Sequence, residues 1–439
     1  MFATSDTHAS WSGPFTHTPR EEFNNHLWQD KNSVIRFQQL EALLKDIVSP
    51  ALLTEMGRGI GKVGMSIRLT PYVLSLIDWR EVETDPIRRQ FLPMHFELEE
   101  DHPCMNVDSL AERDTSPVPG LVHRYPDKVL FLVTSVCPVY CQYCTRSYAV
   151  GQDTLALRKD HVASAHNWDA ALAYIRANPE IEDVVISGGD VARLKPAIVT
   201  RLGNALLDIP HVRRLRLATK AICVEPMKIL SDDRWFAAVV DLVAQACAMF
   251  KDVCVHTHFN HPREITPLVE QAMRRLHGEG IYVRNQAVLL RGVNDDAHTL
   301  IELIRGLGRV NIHPYYVYVC DMVTGTEHFR LPLRLAQDLE KQVRGTTAGF
   351  NTPLFVVDAP GGGGKRDVHS IEFEDTKYGV SGFRAPAVDP YRLFYYFDPL
   401  RSLSEPARKA WQSGEARGRI LENLDLRSRR LRPAAKVSA

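Results

Sequence analysis

The sequence predicts an α/β fold built on a parallel barrel or part of one, and three observations predict it. From Val129 onward, β-rich apolar runs (VLFLVTS, DVVISGGD, RRLRLATK, VCVHTHFN and IYVRNQAVLL) are separated by helical segments such as DAALAYIRAN and LVEQAMRRLHGE. Strand, helix and strand in repetition build parallel βα units, because parallel neighbours need a crossover between them. The runs read as continuous apolar stretches, which requires cover on both faces. Finally, residues fit for chemistry follow the strand ends: cysteines after VLFLVTS, GGD after VVIS, and HFNHP after VCVHT. Parallel folds place their ligands there.

Composition supports a folded enzyme-sized chain. Its 439 residues are 45% hydrophobic and 24% charged, with zero formal net charge, so a full core can form and nothing pulls the whole molecule toward nucleic acid or membrane. Eight cysteines without a charged and then apolar leader describe a reducing, cytoplasmic setting. The stretch FAAVVDLVAQACAMF (236–250) is broken by Asp241 and Gln245 and is too short to span a bilayer.

The chain divides into five stretches. Residues 1–20 are polar, with Gly and Pro, and are expected to be a loose arm. Residues 21–120 carry helical spacing in VIRFQQLEALLKDI and PYVLSLID, then a proline-rich connection expected to run over a surface. The barrel occupies 121–330. Residues 331–375 hold a helix, LPLRLAQDLEKQVRG, and a strand running into a glycine-rich turn, PLFVVDAPGGGGKRDV. An extension, 376–439, ends in the basic run LRSRRLRPAAK, read as a solvated end.

Three segments carry the chemistry. Cys137, Cys141 and Cys144 form C-x3-C-x2-C, a spacing that lets three thiolates reach three irons of a [4Fe–4S] cluster and leaves the fourth iron open. A zinc site completed by a distant His is the competing reading, although no second C-x2-C pair exists. Ser187, Gly188, Gly189 and Asp190 would let a ligand lie against backbone and give Asp190 an ammonium to meet; alone, such a motif marks many turns. In VVDAPGGGGK, four glycines make either a linker or a close approach to a ligand. Lys365 at its end is a candidate Schiff-base lysine for pyridoxal phosphate. A P-loop would need Ser or Thr where Arg366 stands.

These segments, with TPYVLSLID, DTSPVPGLVHRYPDKVLFLVTSVC, CTR, HTHFNHPREIT, NQAVLLRGVND, HPYYVYVCD and EHFR, resemble the lysine 2,3-aminomutase family of radical S-adenosylmethionine enzymes from about residue 26 to 370. The resemblance implies a partial (β/α)6-type barrel with an N-terminal helical region and a C-terminal extension. It implies three cofactors: the [4Fe–4S] cluster on Cys137, Cys141 and Cys144, S-adenosylmethionine, and pyridoxal 5′-phosphate on Lys365. Ser187, Gly188, Gly189, Asp190, His258 and Gln286 then face S-adenosylmethionine. Arg124, Tyr125 and Lys128 fall where the family binds the coenzyme, Lys128 keeping a charge without the guanidinium fork. Arg146 matches the residue that holds the substrate carboxylate.

The same resemblance gives Asp321 and Asp358 the distal ammonium of a basic amino acid, because two buried carboxylates repel unless a cation sits between them. A turn-capping role for Asp358 is the competing reading. Lysine is the favoured substrate; arginine, ornithine, or a lysine on a translation elongation factor are the alternatives. An electron donor such as flavodoxin or ferredoxin and a homo-oligomer are the implied partners. The chain also departs from the family. Lysine enzymes bind structural zinc with cysteines after GVND and near the C-terminus, whereas Asp296 stands at the first position and no cysteine follows Cys320, so no such zinc is expected. Near Lys220 the family carries an Arg.

Overall fold

In the computed structural model, which describes residues 13–430, nine strands form one sheet in chain order. A hairpin of β1 (Leu121–Tyr125) and β2 (Lys128–Thr134) opens it. Then come β3 (Asp183–Gly188), β4 (Arg214–Ala218), β5 (Asp252–Thr257), β6 (Val283–Leu289), β7 (Ile312–Val319) and β8 (Leu354–Ala359), each parallel to the strand before it. Finally β9 (Gly364–Asp367) turns back antiparallel on β8. Six helices make the crossovers: Trp168–Ala177, Pro196–Leu207, Asp233–Ala248, Pro267–Gly278, Ala297–Arg309 and Leu333–Val343. This is the expected partial (β/α)6-type barrel. Its sheet runs from residue 121 to 367, past the division drawn at 330, because β8 and β9 complete the same wall.

One expectation is corrected by the strands. They are not continuous apolar runs: Arg214, Arg216 and Ala218 in β4, and Arg284, Gln286 and Val288 in β6, alternate with fully buried residues. Leu215, Leu217, Val253, Val255 and Val283 belong to the main core. The other face lines a polar lumen, where Arg216 Nε meets Asp183 at 2.8 Å, Arg284 meets the Cys254 thiol at 2.9 Å and Gln286 meets His256 at 3.1 Å. A lumen that must hold polar ligands cannot be filled by stacked Val and Leu. Strand β7, IHPYYVYV, was not foreseen as a strand. Pro314 lacks a ladder donor, and the β6–β7 register shifts beside it, between Asn285 and Gln286.

The helical N-terminal region folds as its caps dictate. Ser49-Pro50, Thr70-Pro71 and Asp85-Pro86 each place a side-chain acceptor before a proline, and helices Pro50–Lys62, Pro71–Leu76 and Pro86–Phe91 start there. Thr70 and Tyr72 then pin the region to the barrel, at Val224 (2.8 Å) and Thr266 (2.6 Å). The described end of the expected arm is packed and not loose: Phe15 is buried, with its ring 6.3 Å from Phe23 and 5.8 Å from Trp28. Residues 1–12 and 431–439 lie outside the described residues; the first part of the basic run, read as a solvated end, closes helix Gly414–Arg430 and packs on the extension, with Arg427 over the Phe373 ring.

The extension is a second layer. Strands β10 (Ile371–Asp375), β11 (Val380–Ala385) and β12 (Asp389–Phe397) form an antiparallel sheet, followed by helices Glu405–Gln412 and Gly414–Arg430. Trp411, Phe383 and Tyr396 are fully buried there. Phe394 of β12 supports the glycine-rich turn so closely that a Cβ at Gly363 would lie 2.5 Å from its ring. Among the described residues no helix is long and apolar enough to cross a membrane.

Candidate active site

The cysteine loop leaves the end of β2 and is held by backbone from two directions. Tyr140 N–H donates to the Arg68 carbonyl at 3.1 Å, and Gln142 N–H to that of Gln90 at 2.9 Å. On the barrel side, Asp190 N–H donates to the Val136 carbonyl at 3.0 Å. A Cβ on Gly188 would lie 2.4 Å from Thr134 O, and one on Gly189 2.5 Å from Val136 O. The glycines of SGGD therefore seat the cysteine loop on β3, a closer duty than exposing backbone to a ligand. Asp190 is equally committed: one carboxylate oxygen accepts from Ala192 N–H (2.8 Å) and the other from Lys220 N–H (2.7 Å), tying β3 to β4. Ser187 is buried in β3 beside it.

Burial pushes the thiols of Cys137, Cys141 and Cys144 up, Cys144 to about 11, so bound metal charge must offset the cost of ionising them. Among the described residues no three His, Cys, Asp or Glu side chains gather as a single-ion site. Three thiols in one C-x3-C-x2-C loop are the donor set of a cube with one open iron.

A buried polar network backs this loop. His258 Nδ1 faces the Gln286 carbonyl at 2.5 Å, so that nitrogen is assigned the proton, and burial lowers the ring's pKa to about 3. His258 Nε2 lies 2.9 Å from the hydroxyl of Tyr143, the residue just before Cys144. Asn260 donates to that hydroxyl (2.7 Å) and to Gln90 (3.1 Å). Lys220 donates to the His258 carbonyl (2.7 Å) and sits 3.5 Å from buried Glu264. Sequence reasoning missed Gln90, Tyr143, Asn260 and Glu264. The last two could have been found as polar residues inside HTHFNHPREI; Gln90 comes from a distant helix and carries no local signal.

The seam where the two ends of the sheet meet joins β1 to β8 and β9 through side chains of β1. Tyr125 hydroxyl accepts from Lys365 N–H at 2.8 Å, and Arg124 Nη1 meets Asp358 at 3.2 Å. Lys365 Nζ lies 3.7 Å from Asp358 and 5.7–6.0 Å from the ring centres of Tyr318 and Tyr125. Gly364 has φ +70°, and a Cβ there would strike the Tyr125 hydroxyl. Arg124, expected on the coenzyme, has protein partners: Asp358, and the Leu110 carbonyl at 2.7 Å. Lys128 pairs with exposed Asp127 (2.6 Å) and covers the Tyr125 ring. Arg216 and Arg284, which the reading of apolar strands passed over, lie near Lys365 around His256, whose pKa burial and these cations lower to about 3. A primary amine beside aromatic rings and a cationic lumen fits a phosphorylated aldehyde coenzyme.

The substrate residues face the same space. Asp321 is half-buried; its Oδ2 accepts from Thr145 at 2.5 Å, and its Oδ1 is buried without a partner. Burial and then the charge of Asp358 push its pKa up to about 7. Arg146 is engaged by Glu112, at 3.1 Å from Nε and 2.9 Å from Nη2. Thus the structure brings Arg124, Tyr125, Lys365, Asp358 and Asp321 into one neighbourhood and the cysteines, Ser187–Asp190 and His258 into another, while Gln286 reaches His258 only by its carbonyl and turns its side chain to His256.

No family model matches the chain. Curated relatives do. It is 38% identical over 356 residues to the L-lysine 2,3-aminomutase of Acetoanaerobium sticklandii, covering 81% of this chain and 80% of that one. The L-lysine 2,3-aminomutase of Clostridium subterminale is 38% identical over 349 residues, 79% of this chain and 78% of that one. The chain belongs to the lysine 2,3-aminomutase family. It is an isomerase of the aminomutase type, in a family that works with S-adenosylmethionine, a [4Fe–4S] cluster and pyridoxal phosphate. The family spans more than one substrate: the glutamate 2,3-aminomutase of Clostridioides difficile is 34% identical over 347 residues, 79% of this chain and 76% of that one. Among solved structures, Streptococcus suis SuiB bound to S-adenosylmethionine aligns over 53% of this chain and 51% of that one, at 16% identity and a TM-score of 0.37. Asp296 caps helix Ala297–Arg309 by accepting from Thr299 N–H at 2.9 Å.

Proposed function

We propose that this aminomutase moves the α-amino group of a free basic amino acid, lysine before arginine or ornithine, to C3. The observation that carries the reading is Asp321. A buried carboxylate oxygen without a partner, beside a second carboxylate and near Lys365, is a site short of one cation. A substrate with an ammonium tail supplies it.

Cys137, Cys141 and Cys144 would hold the cluster, with Ser187–Asp190, His258 and Gln286 beside S-adenosylmethionine; Lys365 would hold the coenzyme, with Tyr125, Lys128 and the lumen arginines Arg216 and Arg284 around it. When bound, the cluster supplies, from an external donor such as flavodoxin or ferredoxin, the electron that makes a carbon radical from S-adenosylmethionine, and the coenzyme supplies the carbon that carries the migrating nitrogen. The chain's own work is placement. Arg146 holds the α-carboxylate, Asp321 and Asp358 hold the tail, and the amino acid is stretched between them so that C3 has one orientation. His258, neutral and locked by Gln286 and Tyr143, keeps the cluster wall rigid without adding charge. The buried walls exclude water and stray hydrogen donors.

The test is anaerobic incubation with dithionite, S-adenosylmethionine, pyridoxal phosphate and each basic amino acid, followed by product chromatography. A β-amino acid is expected from lysine. If all three return unchanged while a protein lysine is converted, the free-amino-acid reading is wrong.

A further inference from the structure

We propose that Glu112 is a positioning residue that presents Arg146 to the α-carboxylate of the substrate; this rests on the amino-acid reading above. The connection carrying it was expected to run over a surface. Instead it straps the mouth of the barrel. Asp101 accepts from Gly325 N–H (2.8 and 2.9 Å), and Asn106 bonds through its backbone to Met322 (3.1 Å) and Thr324 (3.3 Å), on the loop that follows Asp321. The Ser109 carbonyl accepts from Gly361 N–H (2.8 Å) in the glycine-rich turn, and the Leu110 carbonyl from Arg124 (2.7 Å). One short segment thus touches the loop of Asp321, the turn before Lys365, and Arg124 before it reaches Arg146.

The approach to Arg146 is specific. Glu112 occupies the Nε–Nη2 side of the guanidinium, and its Oε2 also accepts from the Tyr148 hydroxyl at 2.8 Å. A guanidinium has five N–H donors in a plane, so a carboxylate on that side leaves the Nη1–Nη2 end for a second carboxylate. Among the described residues no protein acceptor meets Nη1. Glu112 itself is 2% exposed, and Ala111 before it has φ +51°, a conformation that L side chains rarely adopt. Asp108 holds that turn by accepting from Glu112 N–H and Arg113 N–H, both at 2.9 Å. Pinned on all sides, Glu112 acts as a fixed splint.

The test uses the coenzyme-loaded protein without S-adenosylmethionine or reductant, so that nothing turns over, and measures equilibrium affinity for lysine and for lysinamide, which lacks the carboxylate. Glu112→Gln is expected to weaken lysine about tenfold or more, the worth of a charge-assisted bond, with lysinamide unchanged. Glu112→Asp should recover part of the loss. Equal loss for both ligands, no loss for either, or tighter lysine binding, as if Glu112 competed for Arg146, overturns the role. If Glu112→Gln fails to retain coenzyme, Tyr148→Phe must show the same carboxylate-selective loss, smaller; its absence also overturns it. Should the unmodified protein bind no lysine, arginine or ornithine, the substrate reading falls and takes this role with it; binding by the unmodified protein without discrimination by the variants removes Glu112 alone.

Discussion

The two walls of the lumen are built in opposite ways. The cysteine wall is local: one loop after β2, seated on the glycines that end β3 and backed by His258 after β5. The lysine wall is a seam, where Arg124 and Tyr125 meet Asp358 and Lys365 across more than 230 positions of sequence. Neighbouring strands hold the first by continuous ladders, whereas the second depends on a few side-chain bonds. The first should therefore fail only by losing its ligands, and the second by losing its geometry.

The largest effects test whether the walls are separable. Cys141→Ala should reduce iron and sulfide from about four per chain to near zero and abolish turnover, while borohydride still fixes the coenzyme to the protein. Lys365→Ala should do the reverse, keeping iron while losing borohydride-fixed coenzyme and activity. Iron analysis and mass spectrometry of both variants decide the matter. Loss of both cofactors in either variant would show one cooperative site and end the comparison.

Asp321 lies between the walls and gives the next effect. Its folded pKa, about 7, stands above the ordinary 3.8, so between those values the folded chain keeps a proton that the unfolded chain has released. Stability from this group is full below pH 3.8 and is lost as pH rises to about 7. A substrate cation favours the ionised form, so lysine affinity should increase with pH up to about 7 and then level off. Asp321→Asn should raise KM for lysine about a hundredfold and narrow the difference in Tm between pH 5 and pH 8. An unchanged pH profile of lysine affinity in the variant would assign the titration elsewhere.

The same contrast explains what could be read from the sequence. C-x3-C-x2-C, SGGD and the βα rhythm are local patterns with direct physical meanings, and they placed the barrel and its cysteine wall. Lys365 was recognisable because four glycines before a lysine need a reason. Glu112, Gln90 and the lumen arginines were not, because their meaning comes from partners brought close only by folding. Arg216 and Arg284 did leave a trace, an alternation of charge within β4 and β6, which the reading of continuous apolar runs overrode. Strand β7 was hidden by Pro314, and the layer beyond 376 by its lack of any motif.

The smallest effect sharpens the comparison most, because it removes a single atom from the seam. Tyr125→Phe deletes the hydroxyl that accepts from Lys365 N–H at 2.8 Å and leaves the ring in place. A neutral hydrogen bond of this kind contributes about 1 kcal/mol, and the freed N–H is only half-buried, so the urea midpoint should fall slightly. Iron content should not change, since no atom of the cysteine wall touches Tyr125 in the hydrogen-bond network described. What should change is the lysine wall: β9 loses its tie to β1, so Lys365 is held less firmly and coenzyme affinity falls several-fold, read by equilibrium titration of coenzyme absorbance. If affinity holds while stability falls, the seam is a structural joint only, and the placement of Lys365 comes from β8 through its pairing with Asp358.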